Sequence, residues 1–286
     1  MNWSICIFSQ NSAAHLPTCV RAIEDAASNP DTIIYIIDYG SKDDSVEIAK
    51  MLAHADPRIK SVQTPIADKA TAWNDYIHRL SGTAKFHIFV DARAQIGHAA
   101  LGAIEASFSE NSNARAVAAL PIKDRRFKRW RARIIEKQYI CSFLYGIRHH
   151  TLQQFRSNGL FLPVGAIGED RLLTYALSRD FTAQNSPSFE NRIAVAEQAT
   201  FYPQAYKSAW SEIKNWYDRH KRFSCRYIQQ EIIFRALETS GLGALPDRMD
   251  TILTRDALRY VKPRLNIVDY LPDRQMLTEL KAQASK

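Results

Sequence analysis

Acidic side chains stand at three points where the sequence could do chemistry on a polar or charged ligand. Asp38 and Asp91 end the apolar runs "TIIYIID" and "FHIFVD", and Glu169 and Asp170 are adjacent in "GEDRLL". Carboxylates accept hydrogen bonds from hydroxyl and N–H groups, and a carboxylate beside a hydroxyl can take its proton. We expect a binding or catalytic site around these four residues.

The residue two positions after Asp91 is basic, in the order Asp91-Ala92-Arg93. A second acid there would suit a divalent metal, whereas a guanidinium stays protonated and has no lone pair to give. It can instead form a bidentate pair with a phosphate. The end of this apolar run therefore indicates a site for a charged ligand.

The segments that carry these residues alternate between strand-like and helix-like patterns. The predicted order is strand "WSICIFS", helix "AAHLPTCVRAIEDAAS", strand "TIIYIID", helix "SKDDSVEIAKMLAHA" with an N-cap serine, strand "RIKSVQT", helix "DKATAWNDYIHRLSG", strand "KFHIFVD", helix "GHAALGAIEASFSE" and strand "ARAVAALP". Such alternation is typical of a parallel, doubly wound α/β sheet with helices on both faces, where ligands bind at the carboxyl ends of the strands. The first turn, "FSQNSAAH", contains no glycine, which excludes a dinucleotide-binding G-x-G-x-x-G motif.

The pattern changes after Pro121. A basic stretch, "KDRRFKRWRAR", leads into helix-favouring sequence that continues through "IIEKQYICSFLYGI". A helix at "GEDRLLTYALSRD", a strand at "RIAVAEQATFYP", a long helix over residues 206–239 and a polar helix at "RQMLTELKAQASK" follow. We predict one compact domain with a C-terminal extension.

The composition sets limits on the protein's class. The chain has 286 residues, 46% of them apolar, which is enough to build a core. Its 38 basic and 30 acidic residues give a net charge of +8, which favours anionic partners. No window reaches the roughly 18 to 20 apolar residues of a membrane-spanning helix, and no signal peptide is recognisable. The cysteines have no C-x-x-C spacing, so we expect reduced thiols in a cytosolic chain.

Six segments in consistent order resemble the glycosyltransferases of family 2, which have the GT-A fold. They are "SICIFSQNSAAHLPTCVRAI", "IIYIIDYGSKDDS", "DKATAWNDYI", "FHIFVDARAQIGHAAL", "GAIGED" and "RHKRF". The resemblance implies a GT-A domain over residues 1–240, divided into a nucleotide-binding half at 1–121 and an acceptor half at 122–240. It does not cover the helical extension at 241–286.

The resemblance also implies which residues bind the nucleotide-sugar donor. They are Phe8, Ser9, Gln10, Asp38, Ser41, Lys69, Asp91, Arg93, Arg219 and Arg222. Asp38 would accept from a uracil N–H or ribose hydroxyl with help from Ser41, and the alternative is that it only caps the next helix. Lys69 would reach the sugar or the diphosphate, and the alternative is a solvated surface lysine.

Asp91 corresponds to the first acid of the family's D-x-D motif, which holds the ribose and, through its second acid, a divalent metal at the diphosphate. Asp91 is therefore the one acid of the motif that could ligate a Mg²⁺ or Mn²⁺ cofactor here. Three interpretations stay open. Arg93 replaces the metal, a neighbouring residue completes a displaced metal site, or the chain has lost catalysis.

The family's general base lies in an E-D pair, which Glu169-Asp170 matches. Asp170 would take the proton of an acceptor hydroxyl as its oxygen attacks the anomeric carbon from the face opposite the nucleotide, inverting the configuration. Glu169 would lie on the acceptor side. The alternative is that both acids only complement a helix dipole.

Arg219-x-x-Arg222-Phe223 resembles the family's Q/R-x-x-R-W motif, with Phe223 where tryptophan is usual at the acceptor. The alternative is a solvated basic face. A second basic feature is an interfacial segment suited to anionic lipid, in which two aromatic residues, Phe127 and Trp130, accompany the cations. The cations are Lys123, Arg125, Arg126, Lys128, Arg129, Arg131 and Arg133. An ordinary solvated loop is the alternative.

Together these features predict an inverting hexosyltransferase that uses a nucleotide-diphosphate sugar, UDP-sugars foremost, and a hydroxyl acceptor on a glycan or glycolipid. We expect it in the cytoplasm, peripheral at the inner membrane face. Two other classes stay open. A non-catalytic GT-A protein that binds a nucleotide or a membrane would explain the D-x-R departure. A nucleic-acid binder is disfavoured because the cations cluster in one segment.

Overall fold

The computed structural model describes residues 3–27, 31–178, 192–204 and 209–284, and for residues 209–219 it describes the backbone only. It divides into two compact units. Among the described residues, the first contains those up to Leu160, then 169–178 and 192–204; the second contains Phe161–Gly168 and 209–284. The division after residue 240 that the sequence suggested stays a prediction.

The first unit is built on an eight-stranded sheet. The strands are β1 (Trp3–Ser9), β2 (Ile33–Asp38), β3 (Ile59–Gln63), β4 (Phe86–Asp91), β5 (Ala94–Ile96), β6 (Ala116–Pro121), β7 (Leu144–Arg148) and β8 (Ile193–Pro203). Their order in the sheet is β3-β2-β1-β4-β7-β6-β8-β5. The first four neighbours run parallel, whereas β7 is antiparallel to β4 and β6, and β5 is antiparallel to β8.

In the part of the first unit that the structure describes, seven helices accompany the sheet. They are α1 (Leu16–Ala26), α2 (Ser45–Ala55), α3 (Lys69–Asp75), α4 (Ala100–Glu110), α5 (Lys128–Lys137), α6 (His149–Ser157) and α7 (Glu169–Leu177). The predicted α/β class with helices on both faces of the sheet is confirmed, although the sheet is mixed. A π-helical turn, Tyr76–Leu80, continues α3 directly.

The core of the first unit follows from the apolar runs. Every residue of β1 and β4 is buried, as expected for strands covered on both faces. Aromatic rings fill the space beside these strands, with Trp73 and Tyr76 fully buried and packed on Phe89. The predicted strands in this half are therefore the central strands of the sheet.

The structure differs from the sequence prediction in several details. The helix-favouring sequence predicted to continue to Ile147 ends as a helix at Lys137, because Gln138 is left-handed with φ 45°, and β7 follows. The short strand β5 and helix α6 were not predicted. The serine expected to cap α2 is replaced at that position by Asp44, whose side chain makes no capping hydrogen bond.

The second unit is helical. Its helices are α8 (Ala209–Ser240), α9 (Arg255–Arg259) and α10 (Tyr270–Gln283). They share an apolar cluster of Ile228, Leu258, Val261, Met276, Leu277 and Leu280. Beside it the buried Asp273 accepts hydrogen bonds from the backbone N–H and the guanidinium of Arg264 at 2.8–2.9 Å, so a charged pair fixes the start of α10.

The four cysteines carry free thiols. Cys6, Cys19 and Cys141 are buried and Cys225 is partly buried. Burial raises the pKa of all four thiols, to about 12 for Cys141. Among the described residues, none of the helices is both long and apolar enough to cross a membrane.

Candidate functional site

The carboxyl ends of three parallel strands bring the first candidate residues to one edge of the sheet. In the register of β1 with β2, Ser9 lies opposite Asp38, and in the register of β1 with β4, Phe8 lies opposite Asp91. The two acids therefore flank the end of β1. This is the edge where open α/β sheets bind ligands.

Asp38 organises the loop that follows β2. Its Oδ1 accepts from the backbone N–H groups of Gly40 at 3.1 Å and Ser41 at 3.0 Å, and the Ser41 hydroxyl donates to Oδ2. The alternative that Asp38 caps the next helix does not hold, because α2 begins at Ser45. Gly40 has φ +89°, and a Cβ there would lie 2.4 Å from the Cβ of Ala67, so this turn requires glycine.

The loop after β1 is tied to the loop after β2. Gln10 donates from Nε2 to the carbonyl of Tyr39 at 3.0 Å, and the N–H of Asn11 donates to the Ser41 hydroxyl at 2.8 Å. The Asn11 side-chain oxygen accepts from the N–H of Lys42 at 2.8 Å. Gln10 thus fixes the loop after β1 to the loop after β2. Asn11, which was not predicted from the sequence, joins the same two loops.

A buried cluster of alternating charges lies at the end of β4. The Lys69 ammonium is 3.0 Å from Glu169 Oε1 and 3.7 Å from Asp91 Oδ2. Arg93 folds back on Asp91 in a bidentate pair, Nε to Oδ1 at 3.0 Å and Nη2 to Oδ2 at 3.1 Å. Ser142, also missed from the sequence, donates its hydroxyl to Glu169 at 3.1 Å. We call Lys69, Asp91, Arg93 and Glu169 the charge cluster.

Opposite charges set the ionisation of the charge cluster. Burial by itself would raise the pKa of Asp91, but Arg93 and Lys69 outweigh it and hold that pKa below its usual value. The same competition between burial and Lys69 leaves the pKa of Glu169 lowered. Burial would lower the pKa of Lys69, but Glu169 and Asp91 raise it above its usual value. All four groups are therefore charged at neutral pH, and the charges cancel.

Lys69 owes its position to the start of α3. Asp68 caps that helix by accepting from the N–H of Thr71 at 2.8 Å, and Lys69 is the first helical residue. Its ammonium lies 5.2 Å from the centre of the Phe8 ring and its side chain is only 9% exposed. The alternative of a solvated surface lysine is therefore wrong.

Glu169 and Asp170 form the first turn of α7, and both are buried. Asp170 accepts at Oδ1 from the N–H of Arg171 at 3.0 Å, and its carbonyl accepts from the Thr174 hydroxyl. The two neighbours differ in their surroundings. Glu169 is bound to Lys69, whereas the hydrogen bond from the N–H of Arg171 holds the Asp170 side chain at the start of the helix.

The backbone after Arg93 is held by a residue that the sequence did not single out. Gln204 donates from its N–H to the Arg93 carbonyl at 2.8 Å, and its side-chain oxygen lies 2.5 Å from His15 Nδ1. Gln204 comes directly after β8, which is antiparallel to β5. Because Gln204 is far from Arg93 along the chain, no motif in the sequence marked it as a residue of this site.

Arg219, Arg222 and Phe223 lie on α8 in the second unit. The side chain of Arg219 is outside the described residues. Arg222 is exposed, and Phe223 is 45% exposed with its ring edge-on to His220. These positions leave both described side chains accessible to a ligand, and their assignment to the sugar donor and the acceptor stays a prediction.

The basic stretch forms a short 3₁₀ turn and α5. Six of its seven cations are exposed, and the buried one, Arg131, donates to the Pro121 carbonyl at 2.5 Å. Trp130 packs edge-on against Phe143 and Phe201, and Phe127 against Tyr202. The aromatic residues are thus engaged with the sheet, and the exposed feature of the stretch is its charge.

The residues around Asp91 do not fit a divalent-metal site. Both Asp91 oxygens already accept from Arg93, and Lys69 approaches one of them. In the part of the chain that the structure describes, no three His, Cys, Asp or Glu side chains are grouped as metal ligands. A metal at Asp91 would therefore have to displace a guanidinium and lie beside an ammonium.

Comparison with known families gives one match that covers more than half of the chain. Residues 4–167 match the family described as Glycosyl transferase family 2. The matched segment includes β1, β2, β4 and α3, and so contains most of the edge described above. No curated protein matches the chain significantly in sequence.

Solved glycosyltransferase structures share the fold at low identity. A mannosyltransferase from Pyrobaculum calidifontis, in complex with GDP-Man and Mn²⁺, aligns with a TM-score of 0.64 and 12% identity, over 99% of this chain and 75% of that one. S. aureus TarS with UDP-GlcNAc aligns at 0.52 and 14% identity, over 98% and 91%. Mycobacterium tuberculosis glucosyl-3-phosphoglycerate synthase with Mn²⁺ and UDP aligns at 0.52 and 14%, over 79% of each chain.

Proposed function

The chain belongs to glycosyltransferase family 2, and from that premise we propose that it moves a hexose from a nucleotide-diphosphate sugar, preferably a UDP-sugar, to a hydroxyl of a glycan or glycolipid with inversion. The observation that carries the proposal is the pairing of Asp38 and Asp91 on either side of the end of β1. The neighbouring structures named with GDP-Man, UDP-GlcNAc and UDP support this class of donor.

The nucleoside would bind at the edge formed by the loops after β1 and β2. Asp38, with Ser41 bound to it, offers a carboxylate to the base N–H or ribose hydroxyls. Phe8 and Ser9, at the end of β1, and Gln10, in the following loop, would flank the nucleoside. The hydrogen bond from Gln10 to the Tyr39 carbonyl fixes that loop. Because these groups are held in place by hydrogen bonds within the protein, they need little reordering when the nucleotide binds.

The diphosphate charge would be offset by side chains of the protein. The side chain of Arg93 is 32% exposed beside Asp91. The raised pKa of Lys69 keeps its ammonium group protonated, 3.7 Å from the same acid. A guanidinium matches phosphate geometry by a bidentate pair, so Arg93 could share or exchange its Asp91 contacts for phosphate oxygens. Arg222 is proposed as a third cation for the same charge.

Asp170 would act as the general base of the transfer. Its carboxylate would accept the proton of the acceptor hydroxyl while that oxygen forms the bond to the anomeric carbon and the bond to the diphosphate breaks. The proton ends on Asp170, and the electron pair of the broken bond leaves with the nucleotide diphosphate. Attack from the opposite face inverts the anomeric configuration. Glu169 and Phe223 are proposed on the acceptor side.

The proposal of cation replacement predicts that UDP binds without a divalent metal. In a calorimetric titration of UDP and of GDP, the affinity measured with EDTA should stay within about threefold of that measured with Mn²⁺, because the proposed exchange of Arg93 from Asp91 to the phosphate oxygens needs no metal. Complete loss of affinity with EDTA would restore a metal to the site. Arg93→Ala should weaken UDP binding at least tenfold in either buffer.

Asp170→Asn should lower turnover by at least a hundredfold with little change in UDP affinity, because the amide cannot take the proton and keeps the size of the side chain. Transfer is measured as UDP release from a panel of UDP-sugars with hydroxyl acceptors, and affinity by calorimetry. Arg171→Gln, at the neighbouring exposed position, is the matched control and should keep its activity. Full turnover by Asp170→Asn would remove Asp170 from the role, and UDP binding without turnover in the unaltered chain would favour the non-catalytic alternative.

Attachment to an anionic membrane through the exposed cations of residues 123–133 is proposed as the way in which the enzyme reaches a lipid-linked acceptor. The six exposed cations support an electrostatic contact. The vesicle experiment below includes a variant of this segment.

A further inference from the structure

The second unit carries a group of apolar side chains that point into solvent. In the segment between Arg264 and α10, Leu265 is 94% exposed, Ile267 99% and Val268 57%, and Leu271 in the first turn of α10 is 68% exposed. We call residues 265–271 the apolar tip. Single exposed apolar side chains are common on protein surfaces, but an adjacent group of this kind marks an interaction surface.

The apolar tip is an ordered turn. The side-chain oxygen of Asn266 accepts from the N–H groups of Asp269 at 2.9 Å and Val268 at 3.2 Å, and its amide donates to Asp269 at 3.0 Å. Arg264, on the near side, is bound to Asp269 at 3.1 Å and to Asp273 at 2.8 Å. The polar groups of the turn are thus satisfied by one another, and they hold the apolar side chains outward.

An apolar cavity opens beside the tip. Its volume is about 430 Å³, and its lining includes Ile267, Val268, Leu271 and Met276, with Lys221 and His220 on α8. Lys221 is bound to Glu279 at 2.7 Å, so the cavity offers mainly apolar side chains to a ligand. Such a lining suits the acyl chain of a lipid.

Two exposed cations, Lys262 and Arg274, lie before and after the tip in the chain, whereas Asp269 and Asp273 are half-buried or buried and are bound to Arg264. Arg259 is also exposed, but it is paired with the exposed Asp256 at 3.2 Å. A second copy of the chain on this surface would bring Lys262 and Arg274 against their own counterparts in a two-fold interface. An anionic surface avoids that repulsion.

We propose that the apolar tip docks on an anionic lipid bilayer, inserting Leu265, Ile267, Val268 and Leu271 among the acyl chains while Lys262 and Arg274 contact the head groups. This combination of apolar insertion and cation attraction is the general physical basis of peripheral membrane binding. The surface is distinct from residues 123–133, and the inference does not depend on the proposed transferase chemistry.

The test is co-sedimentation of the full chain with vesicles of phosphatidylcholine alone and with 30% phosphatidylglycerol. The unaltered chain should bind the anionic vesicles, and Leu265→Asn with Ile267→Asn should lower the partition coefficient at least tenfold. Lys262→Ala should lower it about fivefold on anionic vesicles only. Met51→Asn, at a 65% exposed position on α2, is the matched control and should bind like the unaltered chain.

Two further readouts separate membrane docking from its rivals. Leu265→Trp should gain quenching by brominated lipid over the unaltered chain, which places the side chain in the bilayer. Retention of vesicle binding by the Leu265 and Ile267 variant, with its loss in Arg125→Glu with Arg129→Glu, would overturn the proposal in favour of residues 123–133. No binding by the unaltered chain, or a dimer in sedimentation velocity that the tip variant abolishes, would overturn it in favour of a protein partner. UDP affinity should be unchanged in the tip variants.

Discussion

Lys69 is the residue on which the neutrality of the charge cluster depends. It is the cation that contacts both acids, Glu169 at 3.0 Å and Asp91 at 3.7 Å, in a setting that is only 9% exposed. Removing one partner of a buried ion pair leaves its counterpart buried and unpaired, which costs more than the pair itself contributes. Lys69 therefore has a structural role beside the proposed contact with a diphosphate.

Lys69→Met should destabilise the protein by about 3 to 5 kcal/mol, because Glu169 loses its buried cation and Asp91 one of two. Denaturant unfolding followed by circular dichroism measures the change. The matched control is Lys50→Met, which removes an exposed pair with Glu47 at 3.6 Å and should cost less than about 1 kcal/mol. Equal effects of the two substitutions would contradict the buried pairing.

The sequence could predict Asp38 and Asp91 because each ends an apolar run, and strand ends of a parallel sheet meet at one edge. It could not predict that Arg93 folds back on Asp91. A guanidinium forms a bidentate pair with a phosphate or with a carboxylate, and the sequence does not distinguish the two. The contact of Lys69 with Glu169 joins residues a hundred positions apart in the chain, and only the folded structure brings them together.

At the scale of elements, β7 is the strand that makes the sheet mixed. It lies between β4 and β6 and is antiparallel to both. Its central residue is Gly146, where a Cβ would lie 2.7 Å from Ile104 Cγ2 and 3.1 Å from Phe108 Cε2. The close approach of α4 to this strand therefore depends on the absence of a side chain.

Gly146→Ala should lower stability by about 1 to 3 kcal/mol, because the added methyl group overpacks the contact with α4. Gly102→Ala is the control within α4, where an added Cβ meets nothing within 4 Å. It should leave the melting temperature unchanged or raise it, since alanine favours the helix. A neutral Gly146→Ala would show that Ile104 and Phe108 can move aside.

The strands β1, β2 and β4 could be predicted because their apolar runs are continuous and short. Most of β7, "LYGI", lies in the sequence predicted to favour a helix, because it follows a helical stretch and a short apolar run does not distinguish helix from strand by period alone. The three-residue β5 is set by its pairing with β8, which is a long-range property.

At the scale of the whole molecule, a buried polar chain joins several elements of the first unit. The Tyr76 hydroxyl donates to Ser4 at 2.7 Å and lies 2.9 Å from His87 Nδ1, and His87 Nε2 lies 3.0 Å from His149 Nδ1. Burial, the neighbouring His149 and Arg156 lower the pKa of His87 to about 3. Its imidazole is therefore neutral in the folded protein.

This lowered pKa predicts loss of stability in acid. The unfolded chain takes up a proton at His87 near its usual value of about 6.5, while the folded chain resists it until about pH 3. The contribution of His87 to the free energy of unfolding should therefore be greatest above about pH 6.5 and fall by about 1.4 kcal/mol per pH unit below it. His87→Phe should flatten this slope between pH 5 and 7, whereas His54→Gln, at an exposed position, should leave it unchanged. An unaltered slope in His87→Phe would assign the acid sensitivity to other groups.

The α/β class of the first unit follows from alternation along the sequence, but the division into two compact units does not. The chain leaves the first unit after Leu160 and returns to it at Glu169. The amino-acid composition does not change within this stretch. Segment boundaries of this kind are set by which residues pack together, and the sequence pattern alone does not report packing.

The buried cysteines have a practical consequence for labelling. A thiol reacts with maleimides as the thiolate, and burial shields the sulfur atoms of Cys6, Cys19 and Cys141 and raises their pKa values. The pKa of the partly buried Cys225 is also raised. A single cysteine introduced at an exposed position would therefore react much faster than the three buried ones. Site-specific fluorophores and spin labels can thus be attached after replacement of Cys225 alone.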